Sequence, residues 1–319
     1  MTRAFVTGAT GMVGSALVRR LVADGVDVVA LVMDPDPQSE LYRSGLVEDT
    51  TVVAGRLEDL ATIERAVAVH EPDTVYHLGA QTLVGAARRA PLLTLETNAR
   101  GTWNVLEACR RHPQVVKRVV VASSDKAYGE STELPYREEM PLGGREPYEV
   151  SKAVADLVTQ SYASAYALPA VIARCGNIYG PGDLNWSRIV PGTIRSLLRH
   201  EQPVLRSDGT FVRDYLHLDD VVDAYLALAA GLDSGALEPG DAINFSDETP
   251  LTVRDLYDAI CKAAGCPGTE PHILDDAPGE LHDQWLSAER ARSRLGWKAN
   301  VGLDDGLTRT VDWYRELLG

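Results

Sequence analysis

Short, almost unbroken apolar runs alternate along the first half of this chain with longer stretches that are apolar on one side only. Ala4 to Thr7, Val26 to Val32, Thr51 to Ala54, Asp73 to Leu78 and Arg118 to Ala122 have the β-rich, non-alternating character of strands buried on both faces. Between them Ser15 to Leu21 runs with helical periodicity until Gly25 stops it, and Leu60 to His70 does the same. Pro91 to Arg111 predicts a long helix with its proline in the first turn. A helix from Tyr148 to about Ala167 and a strand from Ala170 to Arg174 continue the rhythm. Strands alternating with helices at this spacing predict an α/β fold, a doubly wound parallel sheet with right-handed crossovers. From Gly180-Pro181-Gly182 onward the elements shorten and Pro, Gly and Asp increase. That change divides the chain into residues 1–180, with about 210–245 returning to the same domain, and a smaller C-terminal domain over 181–319. The apolar stripe from Val221 to Leu228 is ordinary helix core. There are no internal repeats and no low-complexity tract.

Composition narrows the chemistry. The chain has 319 residues, 45% of them hydrophobic, ample for a sizeable core, and a formal charge of −15. Such an acidic balance argues against nucleic acid or an anionic membrane surface as partner. An anionic small molecule would need local arginines, which are plentiful at 26 against five lysines. The four cysteines, Cys109, Cys175, Cys261 and Cys266, form no C-x-x-C pair and no zinc spacing, and the histidines show no metal spacing either, so no metal is expected. Cysteines of this kind are small core residues of a reducing compartment. No apolar run reaches transmembrane length and no signal peptide opens the chain, which predicts a cytoplasmic location.

Three stretches carry candidate chemistry. Gly8, Gly11 and Gly14, between a strand and a helix, let the backbone turn tightly and approach a pyrophosphate, which then sits on the helix N-terminus with Met12 and Val13 beside it. The next strand ends in Val32-Met33-Asp34, which makes Asp34 the candidate for an adenosine ribose. No arginine or lysine before Arg43 is placed to take a 2′-phosphate, which favours NAD over NADP. Ser123-Ser124 closes an apolar strand. In Tyr148-Glu149-Val150-Ser151-Lys152, residues four apart share a helix face, so the Tyr148 hydroxyl and the Lys152 ammonium can enter one pocket. A neighbouring cation favours phenolate over phenol and makes Tyr148 a usable proton acceptor. His77, at a strand end, is expected to be a packed residue and not a ligand.

Thr7 to Gly14, His77-Leu78-Gly79-Ala80, Asn98, Ser123-Ser124 and Tyr148…Lys152 together resemble the extended short-chain dehydrogenase/reductase family. Arg174 to Gly182 and Val212-Arg213-Asp214-Tyr215-Leu216-His217 narrow the resemblance to its nucleotide-sugar branch. Leu295-Gly296-Trp297, Gly306-Leu307 and Trp313-Tyr314 extend it over essentially the whole chain. The resemblance implies a Rossmann domain that holds NAD and a C-terminal domain that clamps a nucleoside-diphosphate sugar. It implies Tyr148 as base, Lys152 on the nicotinamide ribose and Ser124 on the sugar O4. Leu57, Leu78, Gly79, Ala80 and Asn98 would line the cofactor. Gln81, Asn177, Arg188, Arg206, Arg213 and Glu280 would line the substrate, with Arg213 on the diphosphate, Arg206 facing the nucleobase and Glu280 holding the nucleoside ribose. The family commonly dimerises through two helices like those at 91–111 and 148–167, which makes a homodimer the expectation.

Within that branch, Asp125-Lys126 is similar to the acid–base pair of 4,6-dehydratases and closest to the CDP-glucose type. Asp125 would be the acid and Lys126 the base. The plain alternative is a salt bridge in a loop beside the site. Two rival functions use the same Ser124, Tyr148 and Lys152 or only the fold: a 4-epimerase on a UDP-hexose or UDP-uronic acid, and a non-catalytic dinucleotide sensor. The chain departs from the family twice. Arg56 stands where relatives often carry an aspartate for the adenine, and Ala277 replaces a phosphate-binding arginine common in epimerases.

Overall fold

Strands that are apolar on both faces need cover on both, and the fold supplies it. The computed structural model describes residues 1–276 and 280–319. Its strands are β1 (Arg3–Thr7), β2 (Asp27–Val32), β3 (Thr50–Ala54), β4 (Thr74–His77), β5 (Arg118–Ala122), β6 (Ala170–Cys175) and β7 (Asn177–Tyr179). Then come β8 (Val204–Leu205), β9 (Val212–Arg213), β10 (Tyr215–His217), β11 (Ala242–Phe245), β12 (Leu251–Thr252), β13 (His272–Ile273) and β14 (Asp283–Gln284). Seven of them form one sheet in the order β11-β6-β5-β4-β1-β2-β3, every pair parallel. This is the doubly wound Rossmann architecture that the alternation predicts.

One face of the sheet is covered by the helices Met12–Ala23 and Leu218–Ser234, through Leu17, Leu21, Val221 and Leu228. The other is covered by Leu60–His70 and Gly101–Arg111, through Ile63, Val67, Val105 and Leu106. A third core, built on Ile194, Leu256, Tyr257, Ile260 and Tyr314, lies under the C-terminal elements. After β6 the chain leaves the sheet, then returns through the helix Leu218–Ser234 and β11, which pairs with β6 from Ala242↔Ile172 to Phe245↔Cys175. Among the described residues no helix is long and apolar enough to cross a membrane.

Two helices have features that bear on the site. Pro91–Arg111 is one helical run broken by a π turn at Glu96–Arg100, and such turns widen the backbone where a side chain must reach across. The helix Pro147–Tyr166 has Pro147 in its first turn and a reciprocal cap between Glu146 and Glu149. That cap sets the start of the helix immediately before Tyr148.

Candidate active site

The candidate residues gather where parallel strands end. The chain goes from β1 outward to β2 and β3, then back to β4 on the other side of β1. The crevice beyond the C-terminal ends of β1 and β4 is therefore where such a sheet opens for a ligand. Gly8 sits there at φ +73°, and a Cβ on it would lie 2.7 Å from the Gly79 nitrogen. A Cβ on Gly14 would overlap the Gly8 carbonyl, so helix and loop touch backbone to backbone. Gly11 caps the helix Met12–Ala23 with no side-chain hydrogen bond, and its first turn carries no acid. The free N–H groups and positive helix end fit a diphosphate. Met12, Val13, Leu78, Gly79 and Ala80 line this crevice half-buried, with Leu57 buried against Gly79 and Gly101. Asp34 is exposed two residues beyond β2, and Arg56 is exposed beside Glu58 at 3.6 Å.

His77 is a packed residue, as expected. Its Nδ1 meets Thr7 Oγ1 at 2.8 Å and its Nε2 meets Thr102 Oγ1 at 3.0 Å. Burial, and then the charge of Lys152, push its pKa down to about 3. Thr7 Oγ1 also accepts from the Gly79 nitrogen at 3.1 Å, which locks the two glycine segments together. Asn98, in the π turn, works from behind. Its Oδ1 accepts from Gln81 N at 2.6 Å, while its Nδ2 donates to Gln81 O at 3.0 Å and to Ser151 Oγ at 2.9 Å. Ser151 in turn donates to the Tyr148 carbonyl at 2.7 Å, so Asn98 staples the Gln81 loop to the helix that carries Tyr148.

Tyr148 and Lys152 are both buried, at 9% and 5% exposure. Their electrostatics differ from the sequence expectation. Burial, with Asp125 nearby, pushes the Tyr148 phenol up to about 12, opposed by Arg188 and by Ser124, whose hydroxyl lies in hydrogen-bonding reach. Lys152 does not lower it here, because its ammonium turns back onto the last carbonyl of β5, Ala122 O, at 2.8 Å. Desolvation lowers Lys152 itself to about 8, with Asp156 opposing. The cation that acts on Tyr148 is Arg188, at the head of the helix Ile189–Leu198 and bonded to Asp183 at 3.1 Å.

Beyond β5, Ser124 heads a 3₁₀ turn, Asp125–Tyr128. Its hydroxyl donates to Asp125 Oδ1 at 2.7 Å and accepts from Lys126 N at 3.2 Å. Asp125 is buried, and burial raises its pKa against the pull of Lys126, Ser124 and Arg213. Asp125 and Lys126 form no salt bridge with each other among the described residues. Adjacent side chains on this turn diverge, and the Lys126 ammonium donates instead to Gln284 Oε1 at 3.1 Å.

The substrate-side candidates fall into two groups. Arg206 and Glu280 come together as an ion pair at 2.9 Å. Arg213 is buried on β9, with its guanidinium donating to the carbonyls of Val212 at 2.8 Å and His282 at 2.7 Å, and to that of Leu281. Asn177 Nδ2 donates to Asp214 O at 3.4 Å, and Asn177 pairs in register with Tyr215 of β10, just past Arg213. Ala277 lies outside the described residues.

Two residues that sequence reasoning passed over stand in the middle of this arrangement. Asp214 is buried next to Arg213; its Oδ2 accepts from Ser246 Oγ and, at 3.3 Å, from Leu286 N, while its Oδ1 is buried with no partner. Burial first, and Asp125 second, push it up to about 7. Gln284 is the other, and its Nε2 is buried without a partner. Asp214 had a signal, its adjacency to Arg213, but the partners of Gln284 lie too far along the chain to leave one.

The profile of the family described as NAD dependent epimerase/dehydratase matches residues 4–244. A CDP-glucose 4,6-dehydratase of Salmonella typhimurium is 29% identical, aligned over 98% of this chain and 90% of that protein. A UDP-glucose 4-epimerase of Mycolicibacterium smegmatis is 32% identical, aligned over 98% of both. Among solved structures, a dTDP-glucose 4,6-dehydratase from Streptomyces venezuelae with NAD bound superposes with a TM-score of 0.87 at 28% identity, covering 99% of this chain and 97% of that one.

Proposed function

Because this chain belongs to the NAD dependent epimerase/dehydratase family, and is thus an NAD-dependent sugar-nucleotide dehydratase or epimerase of the extended short-chain dehydrogenase/reductase type, we propose that it is a 4,6-dehydratase of the CDP-glucose kind. The observation that carries the choice is the Ser124-Asp125-Lys126 turn: a buried carboxyl with a raised pKa, followed by an amine that is not neutralised by it. Simple exchange of configuration at C4 needs neither group.

NAD bound in the crevice would supply the hydride acceptor for C4 of the sugar and the hydride source for C6. The glycine loop and the open helix end would hold its diphosphate, with Asp34 on a ribose and Lys152 on the nicotinamide ribose. Tyr148 takes the O4 proton, with Ser124 orienting that oxygen. Since burial holds the phenol near 12, cations must lower it at the moment of transfer. Arg188 already does so, and Lys152 would add to it on turning from Ala122 O. A ketone at C4 acidifies the C5 hydrogen, which Lys126 removes. Asp125, whose hold on its proton is strengthened by burial, gives that proton to the departing O6, and water leaves. A proton then returns to C5. Arg213 would exchange its backbone carbonyls for diphosphate oxygens, and the Arg206–Glu280 pair would meet the nucleoside.

A 4-epimerase on a UDP-hexose or UDP-uronic acid is the second reading, favoured by the 32% identity to the mycobacterial enzyme. Incubation with CDP-, dTDP-, GDP- and UDP-hexoses, followed by mass spectrometry, separates the two. Loss of water supports the dehydratase, and an isomer of unchanged mass overturns it. Asp125→Asn should stall water loss by about 10²-fold or more while C4 oxidation still reduces the nicotinamide.

We also place a second copy of the chain against the helices Pro91–Arg111 and Pro147–Tyr166. Leu92, Trp103, Leu157 and Tyr166 stand exposed on them at 71%, 41%, 54% and 58%. Light scattering on Leu157→Glu should show a monomer where the parent is a dimer.

A further inference from the structure

We infer that Gln284 is the positioning residue for Lys126: its neutral amide oxygen aims the amine at the sugar while strengthening the amine's hold on its proton far less than a carboxylate would. This rests on the dehydratase reading above, in which Lys126 takes the C5 proton.

The contact is direct. Lys126 Nζ donates to Gln284 Oε1 at 3.1 Å across 158 positions of chain. An ammonium can only donate, so the amide oxygen must face it and the amide nitrogen must look away. That nitrogen is buried and has no partner among the described residues, and Gln284 is 0% exposed on β14, in register with Arg213 of β9. A buried amide left half-satisfied costs stability, and Met or Leu would fill the same space with no such cost. A residue kept against that cost points to a task, and the task here is the lysine.

The choice of amide over carboxylate follows from what a base requires. A glutamate in this position would grip the ammonium more tightly and stabilise its protonated form, making Lys126 a worse proton acceptor near neutral pH. The amide fixes direction and adds no charge. Among the described residues, the charged groups tied to the turn that carries Lys126 include Asp125 itself, Arg213 on β9 and Asp214 just beyond it. His282 and Asp283, next to Gln284 in sequence, pair with each other at the surface at 2.7 Å.

With five lysines in the chain, selective ¹³Cε-lysine labelling lets each be titrated by NMR, Lys126 being assigned through Lys126→Met. In Gln284→Glu the Lys126 pKa should rise by about one to three units, and the limb of the water-loss rate on which the base deprotonates should move up in pH by the same amount. C4 oxidation, read as reduced nicotinamide in a single turnover, should keep its pH dependence. Gln284→Met, which packs without a new charge, should lower the Lys126 pKa and still slow water loss about 10-fold or more, because a freer amine is no longer aimed. A Lys126 titration unmoved in both variants overturns the positioning role whatever reaction the enzyme runs. A parent that yields no dehydrated sugar overturns the dehydratase reading instead, while the titration still decides the Lys126–Gln284 link.

Discussion

Two buried polar clusters lie within a few residues of each other, and they are built on opposite rules. Around Arg174 every group is answered. The guanidinium binds both oxygens of Asp156, at 2.8 and 2.9 Å, and donates to Tyr128 Oη at 2.7 Å; Tyr128 donates to Asn244 Oδ1 at 2.8 Å, and Asn244 Nδ2 to the Tyr136 carbonyl at 3.1 Å. Around Asp125 the bonding is incomplete: among the described residues Asp214 Oδ1, Gln284 Nε2 and Ser123 Oγ are buried without partners, and the Lys152 ammonium donates to one carbonyl. The first cluster holds β6 to the helix Pro147–Tyr166 and to β11. The second leaves donors, acceptors and shifted protons for something that is not part of the chain. Between these two clusters the difference is incomplete satisfaction, more than burial or charge.

The largest effects should separate the clusters by what they damage. Tyr148→Phe should cut sugar oxidation by about 10²–10⁴-fold with the thermal midpoint nearly unchanged, a contrast that calorimetry beside a rate assay would expose. Arg174→Leu should do the reverse. It strands Asp156 at 0% exposure, and a loss of about 3–5 kcal/mol in a denaturant titration is expected.

Smaller effects should come from relieving the second cluster. Lys152 titrates near 8 in the folded chain, below its unfolded value, so its contribution is fully present only above the unfolded pKa and is lost as pH falls through about 8. Lys152→Met should therefore gain on the order of 1 kcal/mol at pH 7, shrinking toward pH 11, while abolishing turnover. Asp214 has the opposite sign. Its folded pKa is raised to about 7, so its contribution is present below the unfolded value and lost as pH rises through about 7. Asp214→Asn should then be more stable than the parent by about 1 kcal/mol at pH 8 and no more stable at pH 4. Equal gains at both values would show that Asp214 is already paired in solution and the cluster is closed.

The sheet was largely legible in the sequence, because a buried parallel strand announces itself by uninterrupted apolar residues; the cluster around Arg174, tied together from distant segments, was not. The helix Leu60–His70 and the strand Arg118–Ala122 lie where the pattern puts them, and the glycine loop meets the helix it predicts. Tyr148, Lys152, Ser124 and Asp125 were readable as motifs. Their proton affinities were not. Spacing put Lys152 in charge of the Tyr148 phenol, while the fold gives the Ala122 carbonyl to Lys152 and Arg188, forty residues later, to Tyr148. Charge–charge contacts made by chain segments far apart leave no periodicity behind. The same holds for Gln284, for the Arg206–Glu280 pair and for the Asn98 staple, whose π turn has no composition of its own.

The excursion of the chain from β6 and its return at β11 has a consequence for how such proteins can diversify. The elements from β7 to β10 are spliced into the middle of the sheet-forming sequence, and β14 brings Gln284 back from beyond both. A new specificity therefore cannot be acquired by exchanging a tail at one junction. It must arrive as an internal cassette whose two seams preserve the β6–β11 pairing, with a third stretch co-evolving near the C-terminus. Recombination between relatives of this chain should yield working chimaeras only when all three seams are respected.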